Sequence, residues 1–555
     1  MVSYPDLQDA RPQGLAAAAD AWQQLTDRYT RLEQDTGTGL TGPLRASGWA
    51  GAAATAAHDR LGDLDDEFEV AAMRARTAAS VLRRAVDDFT DLQRRLRGAV
   101  DGAVAAGLTV DDDGRVTPPA MSLLAADDPD LEQVHRRHVR NAGIYTDLLT
   151  RIVAEATAAD QRVARALTAL RDVSRGQNAW EYHQAGQAAR AAAAVLGLTP
   201  DRIPAAGTDP AAVRVWWAGL SADDRQLYLT GWPDRIGTLD GLPAADRDAA
   251  NQLALRNYIG DNVNHRQDHG NTQHDRAVNL LNRLEDAETG STPLLLLTFD
   301  PTGDGRAAVA VGDPDTAAHT ALLVPGVGTE LDGIRGQISR AESLQNTAAG
   351  FTAPGEQVSV IAWLGYDPPR IDTDIVTAPF GDKSRDGAAA LDAFVDGLHT
   401  THTSGDVHIT AIGHSYGSTV LGEAGSTGDG LAVSDMVAVG SPGMRVDNAS
   451  ELSTGTTHTW VSAAGDDNFV ARPEHSTGWM IGVPIIGTWL YGAAQDVHGP
   501  PPHDPAFGAN LLHADTSGHS GYWDNSGGQP SRILSAQAAI IAGDYDSARA
   551  FGKAP

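Results

Sequence analysis

The 555-residue sequence predicts an α/β fold, a mostly parallel sheet with helices on both faces, preceded by an all-α region. Three observations support this prediction. The first hundred residues carry apolar positions at alternating spacings of three and four, which is typical of amphipathic helices. From Leu294 onward, short β-rich runs alternate with helical patterns or Gly/Pro turns. Around Ser415 a strand pattern changes to a helix pattern between two glycines.

Two amphipathic helices are predicted at the start of the chain. One apolar seam runs from Leu15 to Leu32, and a second runs from Leu82 to Val100. We expect these helices to fold back on each other as an antiparallel hairpin, after a break at 36–43 and a turn at Ser47–Gly51. The seams are then buried against each other or against a partner.

The tripeptide Trp49-Ala-Gly51 between two such helices resembles the WXG100 proteins, small helical hairpins that are substrates of type VII secretion. The resemblance implies a helical partner or self-association through the hairpin. In a purely structural interpretation, Trp49 caps an apolar seam. The family's secretion signal, Tyr-x-x-x-Asp/Glu, is not found after the second predicted helix. Tyr29 and Glu33 have this spacing, but they lie inside the first predicted helix. A cytoplasmic location and export without a cleaved signal peptide both remain open.

The middle of the chain is predicted to hold further helices. Asp113-Gly114 between β-branched residues indicates a small hairpin, and a pair of helices is expected between Pro129 and Arg175. The Pro/Ala/Gly-rich run from Thr199 to Pro210 is the preferred boundary. The predicted division is a hairpin at 1–118, a helical region and linker at 119–205, and an α/β domain at 206–555 with a helical lead-in (206–290) and a core (291–555).

The predicted core contains a series of short strands. Each run is rich in β-branched or aliphatic residues, and helical patterns or turns separate the runs. Active sites in such sheets lie at the carboxyl ends of the strands. The predicted strands are Leu294–Thr298, Ala307–Val311, Thr320–Val324, Val358–Trp363, Val407–Ile412, Met436–Val439 and His458–Ser462.

The composition is that of a globular, acidic chain. A net charge of −30 and a pI near 4.8 disfavour nucleic acids and anionic membranes as partners, because the long-range field repels polyanions. The absence of cysteine excludes thiol nucleophiles, disulfides and thiolate zinc sites. The N-terminal residues lack a basic and apolar signal sequence. The apolar stretch Trp479–Gln495 contains Pro484 and is shorter than the ~20 residues that span a bilayer, so no transmembrane anchor is expected.

Ser415 is the candidate nucleophile. It lies in Gly413-His-Ser-Tyr-Gly417, between a predicted strand and a predicted helix, which is the pattern of a nucleophile elbow. Such a turn strains the serine backbone and requires small residues two before and two after it. It also directs the N–H of Tyr416 to the helix N-terminus, where it can stabilise an oxyanion. A structural serine in a glycine-rich turn is the alternative.

A serine hydroxyl needs a base, and the base needs an orienting carboxylate. In the chain order Ser, Asp, His, the candidate acid is Asp467, because a small turn residue and an apolar residue follow it; Asp466 stays open as the alternative. The candidate base is His519, which lies in a glycine-flanked loop before the last helical stretch. Other histidines downstream of the acid are interpreted as loop residues or less favoured bases: His475, His498, His503 and His513.

A second oxyanion donor is expected in the loop after an early strand. Val324-Pro-Gly-Val-Gly-Thr329 ends such a strand, and the N–H of Val327 is the preferred donor, with Gly328 one residue away. No carboxylate–histidine spacing matches a metal-ligand pattern, so no metal and no cofactor are expected.

The segment from about Ala211 to Gly527 resembles the actinobacterial α/β-hydrolase family known as DUF1023. The resemblance implies Ser415, Asp467 and His519 as a catalytic triad on an α/β-hydrolase fold, and it implies no substrate. Several separated motifs in the same order carry it: Trp216-Trp217 with Leu220-Ser221, Leu239–Ala244 with Arg247-Asp248 and Asn251, Val324–Thr329, Gly413–Ser418, Asp496–Pro500 with Phe507-Gly508, and Gly518–Asp524.

Such a triad indicates acyl transfer on a small-molecule or lipid-like ester. The apolar stretch Trp479–Tyr491 between acid and base favours a hydrophobic acyl group, and a buried core helix explains it equally well. Two other functions stay open: a type VII-linked effector with a lipase-like toxin activity, and a catalytically inactive hydrolase fold that serves as a binding module.

Overall fold

The computed structural model forms two compact units. The first, here called the helical unit, contains Met1–Arg202 and Leu220–Trp232; the second, the sheet unit, contains Ile203–Gly219 and Pro233–Pro555. Leu220–Trp232 lies inside the predicted lead-in at 206–290 and nevertheless groups with the helical unit. The structure describes residues 1–120, 129–172, 181–261, 272–288, 292–370, 382–403, 407–467, 498–525 and 528–553.

The helices of the described residues are α1 (Tyr4–Asp9), α2 (Pro12–Thr36), α3 (Gly42–Ala46), α4 (Ala52–Ala105), α5 (Pro129–Asp172), α6 (Glu181–Val195), α7 (Pro210–Ala218), α8 (Ala222–Gly231), α9 (Pro233–Ile236), α10 (Ala244–Asp261), α11 (Thr272–Glu288), α12 (Ile334–Ala348), α13 (Asp382–Thr401), α14 (Tyr416–Ser426), α15 (Arg532–Ile541) and α16 (Tyr545–Phe551). Within these ranges, no helix is both long and apolar enough to cross a membrane.

The strands are β1 (Thr109–Val110), β2 (Val116–Thr117), β3 (Leu294–Asp300), β4 (Arg306–Val311), β5 (His319–Val324), β6 (Val358–Leu364), β7 (His408–His414), β8 (Asp435–Val439), β9 (Thr459–Ala463) and β10 (Asn510–His513). β1 and β2 pair antiparallel as the small hairpin expected around Asp113-Gly114. Gly114 has a φ of 80°, which suits the turn.

In the helical unit, α2 packs along α4, and α4 also packs on α5 and α6. The predicted apolar seam of α2 is only partly buried, since Trp22 and Leu32 are 41% and 44% exposed. Ala19 and Thr26 are buried instead. These small side chains let neighbouring helices approach closely, so α2 is rotated away from the contact that its large apolar residues predicted.

Two predicted interruptions of the helical region are wrong. The expected pair of helices between 129 and 175 is the single helix α5, because its interior contains no proline and only one glycine, Gly143. The expected break at 36–43 is a π-helical turn at Gly37–Thr41 that leads directly into α3. The helical path therefore continues up to the turn at Ser47–Gly51.

The sheet unit is built on one mostly parallel sheet. In the described residues its strand order is β10-β9-β8-β7-β5-β6-β4-β3. β4 pairs antiparallel with β3 and β6, and the other neighbours pair parallel. The sequence-predicted strands are confirmed to within about two residues. β10 was not predicted, because it is a short edge strand with polar residues at both ends.

Helices cover both faces of this sheet, as predicted. Leu323 of β5 belongs to the apolar cluster that includes α12 and α15. Its neighbours Leu322 and Val324 belong to the opposite cluster, which includes α13 and α14. This alternation follows from the two-residue repeat of a strand, and it places the ends of the central strands between two layers of helices.

The outer edge of the sheet at β3 is covered by polar side chains of α10. Asp248 accepts a hydrogen bond from the Leu296 N–H (2.7 Å), and Asn251 donates to the Leu296 carbonyl (3.0 Å). Arg247 donates through Nε to the Leu297 carbonyl (2.8 Å). These contacts satisfy backbone groups at a β-bulge of an edge strand, which otherwise invites pairing with another chain. The motif formed by Arg247, Asp248 and Asn251 therefore has a structural role at this edge of the sheet.

Candidate active site

Ser415 occupies a strained turn between β7 and α14. Its φ of 53° and ψ of −125° are unusual for a residue with a side chain. Within the described residues, Arg445 is the other non-glycine residue with a positive φ. The Ser415 N–H donates to the Val439 carbonyl at 3.0 Å, which ties the turn to the end of β8. A strained conformation held by its surroundings is typical of a functional position.

The glycines on either side of Ser415 are required by close contacts. A Cβ at Gly413 would lie 2.6 Å from the Cα of Ser418. A Cβ at Gly417 would lie 2.2 Å from the carbonyl oxygen of Val324. Both neighbours are backbone atoms that cannot move without distorting the sheet or α14. The turn therefore has the geometry expected of a nucleophile elbow.

His519 and Asp467 are joined by a hydrogen bond. His519 Nδ1 lies 2.9 Å and 3.1 Å from the two carboxylate oxygens of Asp467. The side chain of Asp467 is completely buried. Because both partners of Nδ1 are carboxylate oxygens, Nδ1 carries the proton, and Nε2 is the nitrogen with the lone pair. The imidazole is thus held in the tautomer that a general base requires.

Ser415 and His519 lie against the same short segment, Val439–Gly440. Ser415 bonds to the Val439 carbonyl, and a Cβ on Gly440 would lie 3.2 Å from His519 Cε1 and 3.3 Å from Asp467 Oδ2. In addition, the side chain of His414 donates to the His519 carbonyl at 2.7 Å. The three candidate residues therefore meet at the carboxyl ends of β7, β8 and β9.

Asp466, the alternative acid, is directed elsewhere. It is exposed, and its carboxylate accepts a hydrogen bond from the Gly518 N–H at 2.9 Å. This contact holds the loop that carries His519, whereas the ring of His519 faces Asp467. The two adjacent aspartates thus contact the loop at different points.

Comparison with known proteins decides the family. An alpha/beta hydrolase family model matches residues 300–476, a range that includes Ser415 and Asp467 but ends before His519. An uncharacterized protein of Mycobacterium bovis, Mb0988c, is 33% identical over 197 residues, which cover 34% of this chain and 72% of that protein. The chain belongs to the alpha/beta hydrolase family.

A longer relative matches over a larger region. The uncharacterized protein Rv2079 of Mycobacterium tuberculosis is 32% identical over 298 residues, which cover 48% of this chain. The match covers 45% of Rv2079, so this chain spans less than half the length of that relative. The similarity therefore concerns a part of each protein.

A buried tyrosine that sequence reasoning missed lies behind the carboxylate of Asp467. Tyr522 donates its hydroxyl proton to Asp467 Oδ2 at 2.9 Å and accepts a hydrogen bond from the Ala464 N–H at 3.1 Å. Burial raises the pKa of Tyr522 above its usual value, and the negative charge of Asp467 acts in the same direction. The phenol therefore stays protonated and fixes the carboxylate. The one feature of the sequence that could have drawn attention to Tyr522 is its position three residues after His519.

Two backbone donors lie near Ser415. Tyr416 is the first residue of α14, where N–H groups have no partner within the helix. A Cβ on Gly326 would lie 3.1 Å from Ser415 Oγ, so the loop after β5 passes directly beside the hydroxyl. The Gly328 N–H donates to the Pro369 carbonyl at 2.9 Å, which favours Val327 over Gly328 as the second oxyanion donor.

Ion pairs anchor the loop after β5. Glu330 pairs with Arg276, and it lies 3.7 Å from Nε of Arg370. Arg370 also forms a charged hydrogen bond to Asp304. Isolated surface pairs contribute little, but a connected network restricts a loop more effectively. The backbone at Val327 is thereby held at a fixed place relative to the nucleophile elbow.

The other candidate histidines have surroundings that differ from those of His519. His498 is buried with its ring 5.7 Å from the ring of Tyr416, and burial lowers the pKa of His498 to about 4. His503 is half-buried, and His513 is exposed on β10. His475 and the apolar stretch Trp479–Tyr491 lie outside the described residues.

Proposed function

We propose that this hydrolase is a serine esterase that acts by acyl transfer through Ser415, His519 and Asp467. The observation that carries the proposal is the bond of His519 Nδ1 to the buried carboxylate of Asp467, beside the strained turn at Ser415. A neutral, oriented imidazole next to a serine hydroxyl is the arrangement that activates a serine.

In the proposed reaction, Ser415 Oγ forms a bond to the ester carbonyl carbon while His519 Nε2 accepts the hydroxyl proton. The negative charge of Asp467 stabilises the imidazolium. The N–H groups of Tyr416 and Val327 bind the oxyanion that develops on the carbonyl oxygen. His519 then protonates the leaving alcohol as the carbon–oxygen bond breaks. In the second half of the reaction, water attacks the acyl carbon while His519 accepts its proton. His519 returns this proton to Ser415 Oγ as the bond between the serine and the acyl group breaks.

The substrate proposed is a small-molecule or lipid-like ester with a hydrophobic acyl group. This class rests on the apolar stretch Trp479–Tyr491, and the series of separated motifs supports assignment to the DUF1023-type hydrolases. The likeness of residues 1–118 to the WXG100 hairpins supports a partner-binding role for α2 and α4. The partly exposed Trp22 and Leu32 of α2 agree with such a role.

Labelling with a fluorophosphonate tests the enzyme directly, because the reagent bonds covalently to an activated serine. We expect labelling of the wild-type protein at Ser415 and its complete loss in Ser415→Ala. His519→Ala should lower the labelling rate by about 10³-fold or more, since the serine loses its base. The matched control is Ser426→Ala, an exposed serine on the same helix, α14.

Each result of the labelling experiment has a defined meaning. A folded wild-type protein that never reacts contradicts the esterase and supports an inactive binding module. Labelling that persists in Ser415→Ala assigns the nucleophile to another residue. If expression of the active protein is toxic and the Ser415→Ala protein is not, the esterase acts as an effector.

Loss of the Tyr522 hydroxyl is expected to slow catalysis without weakening substrate binding. Tyr522→Phe removes one charged hydrogen bond from Asp467, and we expect kcat to fall by about 10–100-fold, since such bonds contribute ~1.5–3 kcal/mol. KM should change little, because Tyr522 is fully buried behind the acid. The measurement is steady-state hydrolysis of a p-nitrophenyl ester.

A second tyrosine provides the matched control for this experiment. Tyr545 donates to the buried carboxylate of Asp435 at 2.8 Å, at the opposite ends of the strands. Tyr545→Phe therefore removes the same type of bond at a distance from Ser415, and kcat should stay at the wild-type value. An equal loss of kcat in both variants would mean that the Tyr522 effect is one of general stability.

A further inference from the structure

We propose that His414 is a positioning residue that fixes the main chain of His519 relative to the nucleophile. The proposal rests on the esterase function proposed above. Its central observation is the 2.7 Å hydrogen bond from His414 Nε2 to the carbonyl oxygen of His519. His414 directly precedes Ser415 and ends β7, so this bond connects the nucleophile elbow to the loop that carries the base.

The direction of this hydrogen bond determines the state of the His414 ring. A carbonyl oxygen can only accept, so Nε2 of His414 carries the proton. The ring is buried, with its centroid 4.8 Å from the ring of His519. Burial, and next the positive charge that His519 acquires, lower the pKa of His414 to about 3. His414 is therefore neutral when the enzyme works near neutral pH.

Neutrality matters because His519 becomes an imidazolium during the proposed reaction. A second positive charge at 4.8 Å would oppose that step. The groups that act electrostatically on His414 are His519, Arg340 and Asp467. Arg340 lies over the ring of Trp523 at 4.3 Å. His414 thus supports the base through a hydrogen bond while adding no charge of its own.

Two other side chains hold the ring of His414 in place. Trp523 meets it edge-on with centroids 5.0 Å apart, and Tyr522 lies at 6.2 Å. His519 itself is consequently held at its side chain by Asp467 and at its main chain by His414, beside the contact of Asp466 with the neighbouring Gly518. Without the bond from His414, the main chain at His519 can shift and move the imidazole while the bond to Asp467 persists. Misplacement of a catalytic group by about 1 Å can cost ~10²-fold in rate.

The test compares two substitutions of His414 in the full chain. His414→Phe keeps an aromatic ring but removes the donor, and we expect the rate of fluorophosphonate labelling and kcat for a p-nitrophenyl ester to fall by about 10–100-fold, with KM nearly unchanged. His414→Gln places an amide N–H at a similar reach and should restore both rates to within about fivefold of wild type. A purely structural role for the ring predicts the opposite order.

A matched control removes the same type of bond elsewhere. His402 Nε2 contacts the Ala317 carbonyl at 3.0 Å, near the amino end of β5. His402→Phe should leave the labelling rate unchanged. If His414→Phe does not fold, His414→Asn replaces it, because its shorter amide does not reach the His519 carbonyl and the same loss of rate is expected.

The outcomes separate this proposal from the proposed function. Wild-type protein that is not labelled overturns the esterase and, with it, the role of His414. A labelled wild type with an equally reactive His414→Phe protein overturns only the role of His414. Labelling that is slow in His414→Phe, restored in His414→Gln and normal in His402→Phe supports it.

Discussion

Asp467→Asn is expected to lower kcat for an ester substrate by about 10³–10⁴-fold, while Asp466→Asn leaves kcat within about threefold of wild type. The contrast is large because the two adjacent carboxylates have different partners. Asp467 accepts hydrogen bonds from His519 and Tyr522, and Asp466 accepts one from a loop N–H.

The physical reason is the tautomer of His519. Both carboxylate oxygens of Asp467 lie within 3.1 Å of Nδ1, and the Tyr522 hydroxyl donates to one of them. An amide offers one acceptor and one donor at this place, and the donor opposes a second N–H. The ring is then driven to carry its proton on Nε2, where a base must have a lone pair.

The measurement is kcat with a p-nitrophenyl ester, combined with titration of active sites by fluorophosphonate. Active-site titration shows whether a low rate reflects fewer competent molecules or a slower reaction in all of them. Equal losses in the two variants would mean that the acid is not Asp467 alone. An unchanged rate in Asp467→Asn would exclude a triad mechanism for this hydrolase.

The sheet could be predicted from the sequence because its signals are local. Buried strands such as Val358–Leu364 are continuous apolar runs bounded by turns, and this pattern survives in any context. The features that the sequence did not predict are those that depend on tertiary contacts. β10 exists because it pairs with β9, and α2 buries Ala19 and Thr26 in place of its larger apolar residues.

The positions of the candidate site residues followed from the same local signals. Ser415 and Asp467 come shortly after buried strands, and carboxyl ends of neighbouring parallel strands meet at one edge. The supporting residues could not be assigned in this way, since Tyr522 and His414 act through partners distant in sequence. Strand alternation puts His414 on the same face of the sheet as the buried Ile412, and this was the one local indication of where the His414 side chain lies.

Asp435→Asn is expected to destabilise the sheet unit by about 3–5 kcal/mol, the usual cost of removing one partner from a buried charged cluster. Asp435 is fully buried at the amino end of β8. Four polar groups surround its carboxylate at 2.8–3.0 Å: the ring nitrogens His408 Nε2 and His458 Nδ1, and the donors Trp460 Nε1 and the Tyr545 hydroxyl.

An amide is a poor replacement for this carboxylate. One carboxylate oxygen of Asp435 faces His408 and Tyr545, and the other faces His458 and Trp460. Whichever way an asparagine is oriented, the negative charge is lost, and its NH₂ group stands where a carboxylate oxygen accepted a hydrogen bond from the Trp460 N–H or the Tyr545 hydroxyl. Buried donors left without a partner each carry a desolvation penalty of ~1–3 kcal/mol, which accounts for the expected size of the effect.

Hydrogen exchange of β8 and β9 in the full chain measures this effect without assuming that both units unfold together. The opening free energy of these strands should fall by about 3–5 kcal/mol in Asp435→Asn and by about 2 kcal/mol in Tyr545→Phe, which removes one donor. Asp546→Asn, at a fully exposed site one residue after Tyr545, is the control and should change nothing measurable. Exchange that is the same in Asp435→Asn and wild type would contradict the importance of the cluster.

The pH dependence gives a second check with a defined sign. Burial by itself raises the pKa of Asp435, but the hydrogen bonds from His408, Trp460, Tyr545 and His458 outweigh it, so the pKa is lowered in the folded protein. A lowered pKa means that the carboxylate contributes its full stability above the unfolded value of about 3.9 and loses it as the pH falls through the folded value. The difference in opening free energy between wild type and Asp435→Asn should therefore shrink as the pH falls below about 4. A difference that does not shrink in this range would mean that the charge of the Asp435 carboxylate does not hold the cluster together.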